Sequence, residues 1–226
     1  SRGPLGIYSP VFDGKTGPNV IIADFPLKWT VASMAPIFDH GINLVITSQR
    51  AIPGYLLDPK IKNRSRLFYQ MANIEVSNVQ GDNNWALLLD PDGFITEGTG
   101  NNFFMVRNGE ILTPEGRNIL RGVSRNYIFE VAEQLGIPCK ECNLEPYDLY
   151  EADESFITAT PFCMLPCTSI NTSKIGEGKM GEITKALLKQ WSSNVGLDIE
   201  GQIREFNKEI IDINKDAPTP YKFNKS

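Results

Sequence analysis

Histidine is almost absent from this sequence, whose 226 residues include only His40. A single imidazole excludes mechanisms that need two histidines and argues against Ser-His or Cys-His nucleophilic catalysis. Because His40 precedes Gly41, we expect it to lie in a turn. Long apolar runs are also missing: none approaches the ~20 residues of a membrane span, and the first residues lack the apolar core of a signal peptide. We therefore expect no membrane partner.

Cysteines are few, and their spacing calls for a test of metal binding. The four cysteines fall as Cys139-x-x-Cys142 and Cys163-x-x-x-Cys167. Such pairs are a zinc signal, but the second pair lies in an apolar, proline-containing run without a glycine-turned knuckle. We therefore expect reduced, mostly buried thiols and no metal site. This use of cysteine suits the cytoplasm.

Positive charge is in short supply as well. Lysine and arginine number 22 against 27 aspartates and glutamates, for a net charge of -5 at pH 7. Since a nucleic-acid surface needs a basic face, we expect no nucleic-acid partner. The content of 41% hydrophobic and 22% charged residues is typical of a globular enzyme, and the length suffices for one large or two small domains.

Hydrophobic periodicity predicts a mixture of strands and helices. Apolar runs predict strands at 5–8, 20–23, 43–47 and 155–160, and a β-meander at 85–114. Apolar residues at helical spacing predict three helices, marked by Leu67, Met71 and Ile74, by Ile128, Val131 and Leu135, and by Ile183, Leu187 and Trp191. The sequence shows no internal repeats.

The stretch EGTGNNFF at 97–104 is the most informative segment of the chain. It lies between the hairpin signals Asp92-Gly93 and Asn108-Gly109. Its two glycines let the backbone approach another group closely, beside the carboxylate of Glu97. The alternative is a surface corner with a solvated glutamate.

Three further features suggest chemistry. Gly122-Val123-Ser124 begins a predicted helix, whose free N–H groups favour a phosphate. Thr160 ends a predicted strand and could reach the same anion. Lys62 lies between a proline-containing loop and a helix, where desolvation would lower its pKa and make the amine nucleophilic. The alternatives are an ordinary N-cap, a strand-end threonine and a surface lysine.

The order of the motifs carries a resemblance to a known family. The motifs are IKN at 61–63, EGTGNNFF at 97–104, ILRGVSR at 119–125, EADESFITAT at 151–160 and GEGKMGEIT at 176–184. Together they resemble the class IV aminotransferases. These are the fold-type IV pyridoxal-phosphate enzymes, which include branched-chain and D-amino-acid aminotransferases and aminodeoxychorismate lyase. The resemblance covers nearly the whole chain.

The resemblance implies roles for individual residues. Lys62 would form a Schiff base with pyridoxal 5'-phosphate and then move the substrate's Cα proton. Glu97 would face the pyridine nitrogen and keep it protonated, so that the ring accepts the electron pair left at Cα. Leu120 would pack on the ring.

The resemblance also implies a phosphate site. Gly122, Val123 and Ser124 would hold the cofactor phosphate through backbone N–H groups and a hydroxyl. Thr160 would contribute from the other side.

The chain also departs from the family pattern. Family members have an N-terminal sub-domain that supplies an arginine to the phosphate, and this chain, which begins at Ser1 and not at Met, starts after it. We therefore expect a processed product or a fragment without that arginine.

Many members have a tyrosine four or five residues after the lysine, where this chain has Arg66 and Leu67, and Tyr69 is the nearest phenol. Arg66 would contact the phosphate or a substrate carboxylate, and the alternative is a surface ion pair.

The substrate side is assigned to Arg2, Tyr8 and Pro161. In branched-chain enzymes, the residues after the threonine offer N–H groups to the substrate carboxylate, whereas Pro161 has none. This argues against a branched-chain substrate and leaves the amino acid and its chirality open.

The resemblance implies an α/β fold with mixed sheets, like that of D-amino-acid aminotransferase. We expect residues 1–37 to be the remnant of a small N-terminal domain, 38–41 a linker, 42–215 a large cofactor-binding domain and 216–226 a C-terminal tail.

Three functions follow from this reading. The first is an aminotransferase that moves an amino group from an amino acid to a 2-oxo acid. The second is a lyase of the aminodeoxychorismate-lyase type, and the third is a catalytically silent fragment or homologue. Because family members are homodimers, a homodimer is expected.

Overall fold

The structure, a computed structural model, describes residues 6–12, 17, 18, 20–63 and 65–213. Within that part of the chain, nine strands form one sheet with parallel and antiparallel pairs. They are β1 (Ile42–Ile46), β2 (Asn84–Leu89), β3 (Ile95–Gly98), β4 (Asn102–Arg107), β5 (Glu110–Pro114), β6 (Cys139–Cys142), β7 (Glu154–Ala159), β8 (Cys163–Ile170) and β9 (Ser173–Lys174). The mixed α/β architecture expected from the sequence is confirmed.

The strand order is β3-β2-β1-β8-β7-β4-β5-β6, and β9 pairs with β8. Because β3 also pairs with β4, the strands from β3 round to β4 close into a ring. Phe104 on β4 pairs with Phe156 on β7, and their rings stack with centroids 4.9 Å apart. The predicted strands at 43–47 and 155–160 and the β-meander are confirmed, with small shifts of their ends.

Seven helices surround these strands in the described part of the chain. They are α1 (Leu27–Val31), α2 (Ile37–His40), α3 (Leu67–Ser77), α4 (Val123–Gln134), α5 (Pro146–Tyr150), α6 (Glu182–Val195) and α7 (Ile199–Ile213). All three predicted helices are confirmed, as α3, α4 and α6. The longest of these helices, α7, was not among the helices predicted from the sequence. No helix in this described part is both long and apolar enough to cross a lipid bilayer.

The apolar stripe on α3 does not face the core. Leu67, Met71 and Ile74 are 73%, 50% and 48% exposed. The buried face of α3 consists of Ala72 and Val76 instead, which pack in a small cluster with residues of β1 and β2. Periodicity predicted the helix correctly because it reports an apolar face, but it does not report what that face contacts.

The strands predicted at 5–8 and 20–23 are wrong where the structure describes them. Residues Gly6–Phe12 form a 3-10 helix, and 20–23 have no regular structure. Val20, Ile21 and Ile22 are at least 83% exposed. A strand needs a neighbour for its backbone N–H and C=O groups, and neither run pairs with a described strand. Leu5 lies outside the described residues.

The segment before β1 is attached to the last described helix. Arg204 on α7 forms an ion pair with Asp39 at 2.8 Å, and Asn207 donates to the carbonyl of Ala32 at 2.7 Å. Phe38, within the expected linker, is buried in α2. The domain boundaries stay a prediction, and the tail at 216–226 lies outside the described residues.

Gly41 makes the turn that follows His40. Its φ is +72°, and a Cβ at this position would overlap Cγ2 of Thr168. The hydroxyl of Thr168 in turn donates to the carbonyl of His40 at 2.9 Å. His40 therefore ends α2 at a tight corner, and it is not one of the residues that line the cavity described below.

Candidate active site

A cavity of about 470 Å³ opens where the β3–β4 corner, the end of β7 and the start of α4 meet. The loop before α3 covers one side of it. The cavity brings together nine of the residues assigned from the sequence: Lys62, Arg66, Glu97, Leu120, Gly122, Val123, Ser124, Thr160 and Pro161. The other two are not placed there, since Arg2 lies outside the described residues and the side chain of Tyr8 is not described.

Glu97 lies at the β3–β4 corner and is 6% exposed. Its Oε1 accepts a hydrogen bond from the phenol of Tyr69 at 2.6 Å. Its Oε2 accepts from the backbone N–H of Leu120 at 2.9 Å and from the amide of Asn102 at 3.2 Å. The solvated surface glutamate considered as the alternative is thus not observed.

Glycine after Glu97 lets the side chain of Asn101 lie against the corner. A Cβ on Gly98 would lie 2.5 Å from Oδ1 of Asn101, inside van der Waals contact. With glycine there, β3 turns directly into β4 and Glu97 pairs with Asn102. Asn102 in turn pairs with Thr158 on β7, so these three polar side chains lie side by side on one face of three neighbouring strands.

Burial controls the ionisation of Glu97. Desolvation raises the pKa of its carboxyl to about 7, although the hydrogen bonds from Tyr69 and Leu120 and the charges of Arg66 and Lys62 oppose this rise. Because burial disfavours the charged form of this carboxyl, a cationic ligand beside it would stabilise the carboxylate. The protonated nitrogen of a pyridine ring is such a partner.

The start of α4 provides an anion site. Gly122 is the N-cap residue and no described side chain caps this helix, so its first N–H groups are available to a ligand. A Cβ on Gly122 would overlap Oδ1 of Asn102, which explains the glycine. Ser124 is buried at the cavity, and Thr160 follows the end of β7 in a turn.

Arg125 fixes the position of α4 and was missed by the sequence analysis. It is only 2% exposed, and its guanidinium donates to the carbonyl of Pro114 at 2.9 Å and to Glu141 at 2.7 Å. These contacts join the first turn of α4 to β5 and β6. An arginine in the first turn of a helix gives no signal of burial in the sequence.

Lys62 lines the cavity but is exposed, so the desolvation expected from the sequence is not found. The loop around it is open to solvent, since Ile61 is 59% exposed. Lys62 is near enough for its charge to lower the pKa of Glu97. Its neighbour Lys60 forms an ion pair with Asp58 at 2.8 Å and does not line the cavity.

Arg66 is half-buried at the cavity wall. It donates to the carbonyls of Asn63 at 3.1 Å and Thr99 at 3.4 Å, and its guanidinium lies 5.2 Å from the ring centre of Tyr69. Among the described residues it forms no ion pair with a carboxylate, so the surface ion pair considered as the alternative is not present there. A guanidinium has five N–H donors, which leaves donors for a ligand.

Two buried polar atoms in the cavity lining fit a bound ligand. Oγ1 of Thr158 and Oδ1 of Asn63 are buried and find no hydrogen-bond partner among the described residues. Buried polar atoms are paired in most structures, so such atoms at a cavity suggest a missing partner. Together with a carboxylate, an aliphatic side chain from Leu120 and a free helix N-terminus, they fit an aromatic ring that carries a basic nitrogen and a phosphate.

Comparison with known proteins identifies the family. The model of the family "Amino-transferase class IV" matches residues 1–170. This chain belongs to the class IV aminotransferases. It is 32% identical over 152 residues to the branched-chain-amino-acid aminotransferase of Pseudomonas aeruginosa. The matched segment covers 67% of this chain and 45% of the relative. The resemblance inferred from the motifs is confirmed.

Solved structures of branched-chain amino acid aminotransferases have a similar fold over the part that superposes. The Escherichia coli branched-chain amino acid aminotransferase superposes with a TM-score of 0.65 at 28% identity, over 72% of this chain and 53% of that one. The branched-chain amino acid aminotransferase from Thermobaculum terrenum, in its PLP form, superposes with a TM-score of 0.64 at 26% identity. The superposition covers 75% of this chain and 54% of that one. This chain spans about half the length of the relatives it matches.

In this class IV aminotransferase chain, the cysteines lie apart from the cavity. Cys139 and Cys142 are on β6, Cys163 and Cys167 are on β8, and all four are free thiols. Burial raises the pKa of Cys163 to about 11, so this thiol stays protonated at neutral pH. In the described part of the chain, no group of three or more histidine, cysteine or acidic side chains could hold a metal ion.

Proposed function

We propose that this chain carries the cofactor site of a pyridoxal-phosphate-dependent aminotransferase, which moves an amino group from an amino acid to a 2-oxo acid. The observation that supports it most strongly is the cavity itself. A buried carboxylate, an uncapped helix N-terminus and an exposed lysine amine all line the same space. Pyridoxal phosphate, when bound, supplies an electron sink for the pair left at the substrate Cα.

Three of the lining residues would act on the reacting part of the cofactor. Lys62 Nζ would hold the cofactor aldehyde covalently and, once displaced by the substrate amine, would accept and return the proton at the substrate Cα. Glu97 holds a proton on the ring nitrogen. Leu120 packs against the ring.

At the start of α4 the phosphate meets uncharged donors, and the helix end adds a partial positive charge. The N–H groups of Val123 and Ser124 and the hydroxyls of Ser124 and Thr160 donate to the phosphate, and the absence of a side chain on Gly122 leaves the backbone accessible.

The experiment that tests this function is an absorption spectrum of the purified protein with pyridoxal phosphate, followed by a panel of amino donors. We expect an absorption band of covalently bound cofactor. Borohydride reduction should make the link permanent, at residue 62. Donors that are substrates should bleach the band, and a 2-oxo acid should restore it. Turnover without any 2-oxo acid would indicate the lyase instead, and absence of bound cofactor would indicate a silent chain.

The donor panel also decides the substrate. The relatives named above are branched-chain aminotransferases, which favours a branched-chain amino acid. Pro161 argues the other way, because it lines the cavity and offers no N–H to a substrate carboxylate. The roles of Arg2 and Tyr8 on the substrate side stay predictions.

Arg66→Met tests the assignment of this guanidinium to the phosphate. A charge-assisted contact of this kind contributes roughly 1.5–3 kcal/mol, so we expect cofactor affinity to fall by about one to two decades. Equilibrium titration with pyridoxal phosphate measures this. Arg117→Met is the control, because Arg117 is an exposed arginine that does not line the cavity.

The same variant separates two roles of Arg66. A higher donor concentration for half-maximal rate with unchanged cofactor affinity would assign Arg66 to a substrate carboxylate. No change in either quantity would contradict both roles.

We also propose that the protein is a homodimer in the cytoplasm. The exposed stripe Leu67, Met71 and Ile74 on α3 supports a contact with a second copy, since it is an apolar surface beside the cavity-lining residues Phe68 and Tyr69. The cytoplasmic location rests on the four free thiols.

Met71→Glu is expected to shift the protein from dimer to monomer, because a charge would be placed in an apolar contact. Light scattering over a range of protein concentrations measures the change. Val195→Glu places the same charge on the exposed end of α6 and should leave the mass unchanged. A monomeric parent protein, or equal effects of the two substitutions, would count against the homodimer.

A further inference from the structure

Tyr69 makes the shortest contact with Glu97, yet none of the roles assigned so far uses it. It lies in the first turn of α3, seven residues after Lys62, and its phenol donates to Oε1 of Glu97 at 2.6 Å. The side chain also lines the cavity. An O–H···O⁻ bond of this length is in the range of charge-assisted hydrogen bonds.

The distribution of donors over the carboxylate shows which oxygen is left for a ligand. A carboxylate offers about four lone-pair sites, two on each oxygen. On Oε2 both sites are filled, by the N–H of Leu120 and the amide of Asn102. Oε1 accepts only the phenol of Tyr69 from the described residues. Oε1 therefore keeps one site, and Tyr69 binds the same oxygen that a ligand N–H would reach.

The phenol of Tyr69 stays neutral and therefore remains a hydrogen-bond donor. Burial, and then the charge of Glu97, raise the pKa of Tyr69 well above its ordinary value, so the phenol stays protonated. Among the described residues, the charged or titratable groups that act on Glu97 are Tyr69, Arg66 and Lys62, and all three stabilise its ionised form. Of these only Tyr69 touches the carboxylate.

We propose that Tyr69 is a positioning residue that orients the Glu97 carboxylate, so that Oε1 receives the protonated ring nitrogen of the cofactor. This proposal rests on the function proposed above. Tyr69 acts through Glu97 and is not itself a catalytic residue. Its phenol holds one oxygen of the carboxylate, whereas Leu120 and Asn102 hold the other, so the three donors together fix the plane of the group.

A packing role is the competing explanation. The ring of Tyr69 lies 4.1 Å from that of Phe68 and 5.2 Å from the guanidinium of Arg66, so its loss could disturb the cavity wall as a whole. The test must therefore respond to the ring nitrogen of the cofactor and not to the shape of the site.

Tyr69→Phe removes the hydroxyl and keeps the ring. Its affinity is measured for pyridoxal phosphate and for 1-deazapyridoxal phosphate, in which a C–H replaces the ring nitrogen. We expect about tenfold or more weaker binding of pyridoxal phosphate and unchanged binding of the deaza analogue. Tyr147→Phe is the matched control: Tyr147 bonds Glu151 at 2.8 Å on the surface, and its loss should affect neither ligand.

Titration of Glu97 in the cofactor-free protein is the second readout. Carbon-13 NMR of the labelled carboxyl should show a higher pKa in Tyr69→Phe than in the parent, because a donor to the ionised form is lost. The parent value should lie near the value of about 7 set by burial. This measurement also shows directly whether the variant is folded.

The outcomes separate the two proposals. Equal losses for both ligands, or no loss for either together with an unchanged titration of Glu97, would overturn the positioning role and leave the cofactor site standing. If the parent protein binds neither ligand, the proposed function fails and this inference fails with it. Selective loss of pyridoxal phosphate binding supports both.

Discussion

Lys62→Ala should abolish the absorbance of covalently bound cofactor and lower turnover by about 10²-fold to 10⁴-fold or more, which is the usual contribution of a positioned proton-transfer group. The fold should not change. Lys62 is exposed, so we expect its removal to alter the free energy of unfolding by no more than about 0.5 kcal/mol. The measurements are the spectrum with pyridoxal phosphate, borohydride reduction with peptide mapping, and thermal unfolding.

Lys60→Ala is the control for Lys62→Ala. Both lysines lie in the same loop, but Lys60 is paired with Asp58 and does not line the cavity. This variant should keep the cofactor band and most of the activity. If Lys62→Ala still gives a reducible adduct and Lys60→Ala does not, the amine assignment passes to Lys60.

Glu97→Gln should keep the cofactor bound and lose most of the turnover, by about 10²-fold or more. The amide has nearly the shape of the carboxylate and can still accept the hydrogen bond from Leu120. It carries no charge, however, and so holds a proton on a pyridine nitrogen less well. Cofactor affinity and kcat are measured separately, because loss of the charged contact to the ring nitrogen should weaken affinity about tenfold, as in Tyr69→Phe, whereas the larger loss should lie in kcat.

A control for Glu97→Gln is available on the surface. Glu151→Gln changes an exposed glutamate that also accepts from a tyrosine, and it should leave kcat unchanged. Full turnover in Glu97→Gln would show that the ring nitrogen does not depend on this carboxylate. Loss of folding would show instead that Glu97 supports the β3–β4 corner.

Much of the site could be predicted because its signals are local. A Gly-rich corner beside Glu97, a helix start at 122–124 and a strand end at Thr160 each follow from residue types and spacing within a few positions. Their order along the chain identified the family. The structure places the described members of this set around one cavity, although their individual roles stay proposals.

Other parts of the site depend on contacts between distant segments. Tyr69 meets Glu97 across 28 positions of sequence, and Asn102 reaches the carbonyl of Leu120 across 18. Which side of α3 faces the corner depends on where the helix begins. Arg125 is buried because β5 and β6 pass beneath the first turn of α4 and supply its acceptors.

The sequence alone determined the strands of the meander, three helices, the family and most of the residues around the cavity, because each leaves a pattern within a short window of residues. Tertiary structure alone decided that Leu67, Met71 and Ile74 face outward, that the runs at 6–8 and 20–23 are not strands, and that Tyr69 bonds Glu97. The physical reason is the same in each case. Periodicity reports the chemical character of a face, whereas burial and hydrogen bonding also depend on the segment that packs against it.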